Sequence, residues 1–388
     1  MNNINKVFIR ELGRIRSDRS LRFMLLIGPL LAFFLIISIF YKGVPNDLPV
    51  AVVDNDNSTL SNKIESWVDA TSIAKVAYRI KDLKDAEILM EKGKIDAIVM
   101  LPNNLERDVV KGISPEIPVF FNNSNIVKGG LLYKGIFTCL STIKAGLKMQ
   151  VRTKKGYSQM QLMPSVLPIK YDVHLLYNPY LSYVYFVGTA VLAIMLIVFT
   201  LLSCIYSLGS EIRYGTSKNL LESVDGRISS VIIGKMLPYT FVFTIFALVI
   251  DLLLFVVLDV PLNGSLLTII VSQILLVITY QACAIILIAL TANLRLSISF
   301  GAAYTMMALS FSGLTYPAVG MPTIAKIFTL FFPFTYYLEI FISQSLKDID
   351  IHIALYNLLP QFVFILIAIP LVKRIKVLYN NSKYWGKI

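Results

Sequence analysis

The stretch Glu211-Ile-Arg213-Tyr-Gly215-Thr216-Ser-Lys218-Asn-Leu220-Leu221-Glu222-Ser-Val-Asp225-Gly226-Arg227 is a polar island between two apolar runs. Pro179–Ser210 precedes it without one charged residue, and a second apolar run begins at Met236. An apolar helix crosses a bilayer in about 20 residues, so the island lies at a membrane face. The chain contains no G-x-x-x-x-G-K-[ST] phosphate loop and cannot cradle a nucleotide by that route. An island of this kind, without fuel-burning machinery of its own, takes its input from a partner.

Working outward, the whole chain reads as a membrane protein. Of 388 residues, 56% are hydrophobic and 15% charged, with a mean hydropathy of +0.69, far from the globular norm. Six runs are long enough to span: Phe23–Tyr41, Tyr180–Cys204, Met236–Leu258, Leu266–Leu290, Leu296–Leu314 and Ile351–Val372. The first follows basic residues, as a signal peptide does. It is too long for such a core and lacks a small-residue cleavage site, so it reads as a retained anchor. Lys6, Arg10, Arg14, Arg16, Arg19 and Arg22 crowd one end, and Lys373, Arg374, Lys376, Lys383 and Lys387 the other. An even number of spans puts both ends on one side, and the excess of cations makes that side cytoplasmic. Arg213, Lys218 and Arg227 of the island, and Arg295 of the next internal turn, fall on the same side.

The net charge of +12 is accounted for by these membrane-flanking cations, which face anionic lipid headgroups. No basic-aromatic interleaving suggests a nucleic-acid surface. Cys139, Cys204 and Cys283 form no CxxC pair, and the histidines, His174 and His352, are isolated, so no metal site is expected. No catalytic set is assembled either.

Between the first two spans, residues 42–178 form a polar insert placed outside. Strands are predicted at Leu48–Val53, Ala74–Ile80, Ile95–Leu101 and Ile117–Phe121, with helices at 58–70 and 82–92 and a short one after Pro102. Strands alternating with helices imply an α/β domain with a largely parallel sheet. A long helical stalk, 126–155, leaves it. Asp54 and Asp56 read either as paired carboxylates or as ordinary capping residues of a strand-to-helix turn.

The segment 315–350 is too apolar for a free loop, while Pro317, Pro322 and Pro333 forbid one continuous helix. Broken backbone at membrane depth persists where it is buried or lines a cavity. Two short helices dipping back from the outer face, near 322–332 and 335–346, meet that condition, and a pair lying on the outer surface is the alternative. Asp251 in the third span and Glu339 in this region read as pathway or gate groups, or as structural hydrogen-bonding groups. Pro317 and Pro333 belong to the same candidate gate. Ser297, Ser299, Gly301, Ala302 and Ala303 allow close helix approach in the fifth span.

Glu211-x-Arg213-x-Gly215-Thr216-x-x-x-Leu220-Leu221, then Arg227 and Gly234-Lys235-x-Leu-Pro238-Tyr239, resembles the cytoplasmic loop of ABC exporter permeases of the type-two class. Ile212 and Arg213 stand where that pattern has Arg and Glu. Arg10-Glu-Leu-x-x-Ile-Arg16-x-Asp18-Arg19-x-Leu21 resembles the family's interfacial helix. Val-Val-Asp54-x-Asp56-x-Ser58-x-Leu60 is similar to the start of its external domain. Ser312-Gly313-Leu-x-Tyr-Pro317-x-x-x-Met321-Pro322 and Phe332-Pro333-Phe-Thr335-Tyr336-Tyr337-Leu-Glu339 are similar to its re-entrant elements.

The resemblance implies an α-helical polytopic membrane protein with six transmembrane helices, re-entrant helices and an inserted α/β extracytoplasmic domain. The expected order is interfacial helix 1–22, first span 23–41, insert 42–178, five-span domain 179–372 and basic tail 373–388. It implies a drug-export-like subgroup in a bacterial inner membrane, moving an apolar or amphipathic substrate outward. A separate ABC ATPase, which binds the ATP and magnesium, would dock on 211–227 through Glu211, Arg213, Gly215, Thr216, Leu220, Leu221, Glu222 and Arg227. A second copy or a paralogous permease completes the pathway, and a periplasmic adaptor fits the layout. The competing reading is a membrane-anchored structural or receptor protein of a secretion or phage-infection system, with no transport activity.

Overall fold

A computed structural model of the chain describes residues 3–41, 43–154, 176–179 and 181–386. Lys155, His174 and the return segment 157–175 lie outside them. The chain divides into two compact units, 1–44 with 175–388, and 45–174.

The first unit is helical. It opens with α1 (Asn3–Ser17) and α2 (Arg19–Phe40), separated at Asp18, whose carboxylate accepts from the amides of Ser20 and Leu21 and caps the second helix. After the insert come α7 (Val184–Arg213), the short α8 (Ser217–Glu222), α9 (Ile228–Val257), α10 (Leu266–Thr291) and α11 (Leu294–Phe311). The bent pair α12 (Thr323–Thr329) and α13 (Pro333–Lys347) follows, and α14 (Ile351–Asn380), interrupted by a turn at 357–358, ends the bundle. Helices α7 and α10 are the most buried, and residues from nearly every other helix of the unit pack into their shared core. Gly209 and Gly301 permit this closeness. A Cβ on Gly209 would stand 2.8 Å from both Ile288 and Leu294, and one on Gly301 2.7 Å from Ile205.

Among the described residues, six helices are long and apolar enough to cross a membrane, or seven if the bent pair counts as one. Five of the six coincide with expected spans. The fifth expected span, Leu296–Leu314, is the 18-residue helix α11, which is not among them. Arg295, Ser297, Ser299 and Thr305 dilute its apolar character, yet it packs on α7 and α10 as an integral part of the bundle. The sixth is Ile126–Gln150, which the sequence suggested as a stalk. It belongs to the second unit, where Leu132, Ile136 and Ile143 enter the core beside the sheet.

That second unit carries a four-stranded sheet in the order β2-β1-β3-β4, with β1 (Leu48–Asp54), β2 (Ala74–Ile80), β3 (Ala97–Leu101) and β4 (Val119–Phe121). Strand β1 runs parallel to both neighbours, and β4 pairs antiparallel with β3. Helices α3 (Thr59–Asp69), α4 (Leu83–Glu91) and α5 (Leu105–Lys111) connect the strands, and α6 (Ile126–Lys154) follows β4. Val50 and Val52 face one core, Ala51 and Val53 the other, which is why β1 reads as an unbroken apolar run. Asp54 and Asp56 are capping residues here. Asp54 accepts from the amides of Asp56 and Asn57 and from the Ser61 hydroxyl, while Asp56 accepts from the amides of Leu105 and Glu106 at the start of α5.

Candidate coupling site

The island folds as a helix end, a turn, and a helix too short to stand alone. Helix α7 stops in a Schellman motif: the Thr216 amide donates to the Glu211 carbonyl at 3.1 Å and the Gly215 amide to that of Ile212 at 3.4 Å. Gly215 takes φ +69°, the left-handed region that favours glycine, and its bare Cα faces the Trp385 ring. Helix α8 has six residues, below the length at which a helix persists by itself in water. It holds by burying Ser217, Leu220 and Leu221, followed by Val224, in the bundle core. The Ser217 hydroxyl donates to the Tyr379 carbonyl at 3.0 Å, fastening α8 to the end of α14. Lys218, Asn219, Glu222, Ser223, Asp225 and Arg227 remain exposed.

Beneath this turn lies a buried charge cluster. Glu211 and Glu11 are fully buried, and so is Lys235. The Lys235 ammonium donates to Glu11 at 2.6 Å and to Glu211 at 3.0 Å. Arg10 grips Glu211 through two nitrogens, at 2.7 and 3.1 Å, and Arg14 adds a third guanidinium contact at 2.9 Å. The Thr216 hydroxyl closes onto the same carboxylate. Glu11 also accepts from the Ser207 hydroxyl at 2.6 Å and from the Tyr239 phenol at 2.8 Å. Burial alone would raise the Glu11 carboxyl. The Lys235 ammonium and the Arg14 guanidinium outweigh it and hold the group below the ordinary carboxylate range. Two carboxylates thus meet three cations, and the satisfied lone pairs make burial of these charges tolerable.

The sequence places each of these groups by helical spacing. Arg10 and Arg14 are four residues apart on α1, Ser207 and Glu211 likewise on α7, and Lys235 and Tyr239 on α9, so each helix offers one polar stripe. Gly234 brings α1 close enough. A Cβ there would stand 2.7 Å from the Val7 Cβ and 2.8 Å from the Ile4 carbonyl. Tyr379 donates to the Leu208 carbonyl at 3.1 Å, so both termini pack on the same end of the bundle as the island.

The expected coupling residues therefore separate into two sets. Arg213, Thr216, Glu222 and Arg227 are exposed. Glu211, Leu220 and Leu221 point inward and are buried, and Gly215 shapes the turn. Arg10, Glu11, Arg14, Lys235, Tyr239 and Tyr379 were not in the expected set. Glu11 and Lys235 stood inside the motifs that carried the resemblance, but nothing in the sequence says that they touch.

At the other end, Asp251 is 5% exposed and Gln273 donates to it at 2.7 Å. Pro333 occupies the first turn of α13, where its missing amide costs nothing, and α12 and α13 meet at 84°. Pro317 is exposed ahead of a short 3-10 turn. Glu339 is exposed and takes no part in the Asp251 cluster. Among the described residues, no group of three His, Cys, Asp or Glu side chains could hold a metal.

A polytopic helical bundle with a pinned polar turn at one end defines a multi-pass membrane protein. Residues 19–371 match the family model described as ABC-2 family transporter protein, and the chain belongs to that family. Its members are membrane transport components that work with an ATPase subunit. No curated protein and no solved structure matches the chain.

Proposed function

We propose that the chain is the permease subunit of an ATP-driven exporter in a bacterial inner membrane. The ATPase docks on the outward face of α8, through Lys218, Asn219 and Glu222, with Arg213, Thr216 and Arg227 at its margins. Both termini and the island lie in the cytoplasm, and the α/β insert lies outside. A second copy, or a paralogue, completes the pathway. An apolar groove of about 340 Å³ between α9, α10 and α14, with Thr240 and Gln281 as polar lining, suits an apolar or amphipathic cargo. A drug-export-like role and a periplasmic adaptor fit the same layout.

The observation that carries this reading is the two-faced character of α8. Its exposed face is polar, while its inner face is bolted to α7 and α14 and stands over the charge cluster. A push on such a helix is transmitted to α1, α7, α9 and α14 together. Nucleotide binding must favour one bundle conformation by a few kcal/mol to shift its population usefully. Glu222→Lys reverses a charge that is exposed and needed by no buried neighbour. It should abolish both co-purification of the ATPase and substrate-stimulated ATP hydrolysis, with the permease still folded. A complex that forms and hydrolyses normally would favour the reading as a structural or receptor protein.

A further inference from the structure

Helices α9, α10 and α13 enclose a second polar cluster, remote from the coupling end. Lys235 is 16 residues from Asp251 along α9, roughly 24 Å at the helical rise. Two polar side chains, Gln273 and Tyr337, join Asp251 in this cluster. Gln273 of α10 uses both amide hydrogens, one to Asp251 Oδ1 at 2.7 Å and one to the Tyr337 hydroxyl of α13 at 3.3 Å. Gln273 and Tyr337 are 1% and 2% exposed. Among the described residues no Lys, Arg or His pairs with Asp251. The other charged groups of α13, Glu339 and Lys347, are exposed.

Within this cluster two buried atoms, Asp251 Oδ2 and Gln273 Oε1, find no donor among the described residues. Both are acceptors. An ionised carboxylate here would be a buried charge without a counter-ion, which folded proteins avoid by neutralising the group. One proton resolves both defects. Placed on Oδ2, it turns that oxygen into a donor, and the unsatisfied acceptor on the side chain it already touches is Gln273 Oε1. Carboxylic acid and amide then pair as two complementary faces, each giving one hydrogen bond and taking one.

We infer that Asp251, Gln273 and Tyr337 form a proton-binding site in which a neutral Asp251 fastens the bent α12–α13 pair to α9 and α10. Uptake of the proton closes the cluster and its release leaves a buried anion that loosens α13. The site is independent of ATPase docking and adds a proton as a ligand of the bundle.

The test uses the full-length protein in lipid nanodiscs and compares it with Asp251→Asn, whose amide reproduces both hydrogen bonds of the neutral acid at every pH. Two measurements are made. An infrared difference spectrum at neutral pH, wild type minus variant, should contain the carbonyl band of a protonated carboxylic acid. Thermal stability at that pH should be equal in the two proteins, because the amide replaces both hydrogen bonds of the neutral acid. A carboxylate band in place of the acid band, or an Asn variant more stable than the wild type, would overturn the site.

Discussion

Lys235 is the residue on which the coupling end depends most. Its ammonium is fully buried and bridges carboxylates from two helices, so its loss leaves the buried Glu11 with Arg14, 3.9 Å away, as its remaining cation. Removing one partner of a buried pair typically costs about 3–5 kcal/mol. Lys235→Met should destabilise the bundle by that order, read as a drop in its denaturation midpoint in detergent. Adding Glu11→Gln should restore part of the loss, since it removes the carboxylate whose close cation, at 2.6 Å, is gone. Equal losses in the single and double variants would mean that Lys235 acts through packing alone. The polar character of Glu211 was legible in the sequence, but its direction was not. A glutamate at a helix end looks the same whether it faces a partner or a lysine 24 positions on, and only the fold brings Arg10 and Arg14 from some 200 residues away.

At the scale of elements, α1 and α9 are joined by a contact that tolerates no side chain at Gly234. Alanine is the better helix former by about 1 kcal/mol, yet Gly234→Ala would drive a methyl group against the Val7 Cβ and the Ile4 backbone. Backbone cannot rotate away, so overpacking of about 1–3 kcal/mol should prevail. The expected result is lower stability together with faster proteolysis within α1. A variant as stable as wild type would show that α1 rides more loosely on α9. Element type was well marked in the sequence: β1, α3 and the break at Pro333 all follow from local pattern and proline chemistry. The sequence reading and apolar length part at α6, read as a stalk, and at α11, read as a span. Apolar length reports burial and cannot distinguish burial against a sheet from burial in lipid. Ile126–Gln150 supplies core side chains to the sheet domain, whereas α11 carries polar residues within the bundle.

At the scale of the whole molecule, the two polar clusters tie together helices distant in sequence, one at each end of α9. The coupling cluster joins Glu11 to Lys235 across 224 positions and Asn3 to Asp225 across 222. A cysteine at Val7, which is 1% exposed against Gly234, offers a probe of when this end closes. In chains arrested after α7 it should react with a water-soluble maleimide, and in the full-length chain it should not. Equal protection in both would show that α1 docks without α9. Long-range closure of this kind cannot be read from local sequence pattern, because each half is an ordinary amphipathic or apolar helix until the other arrives. The consequence concerns biogenesis. Glu11 leaves the ribosome long before the lysine that neutralises it, and must wait at the bilayer surface through the making of an entire inserted domain and two further spans. The surface that would receive an ATPase is thus finished late, after α9 has been threaded the right way round, and a chain inserted in the wrong orientation never completes it.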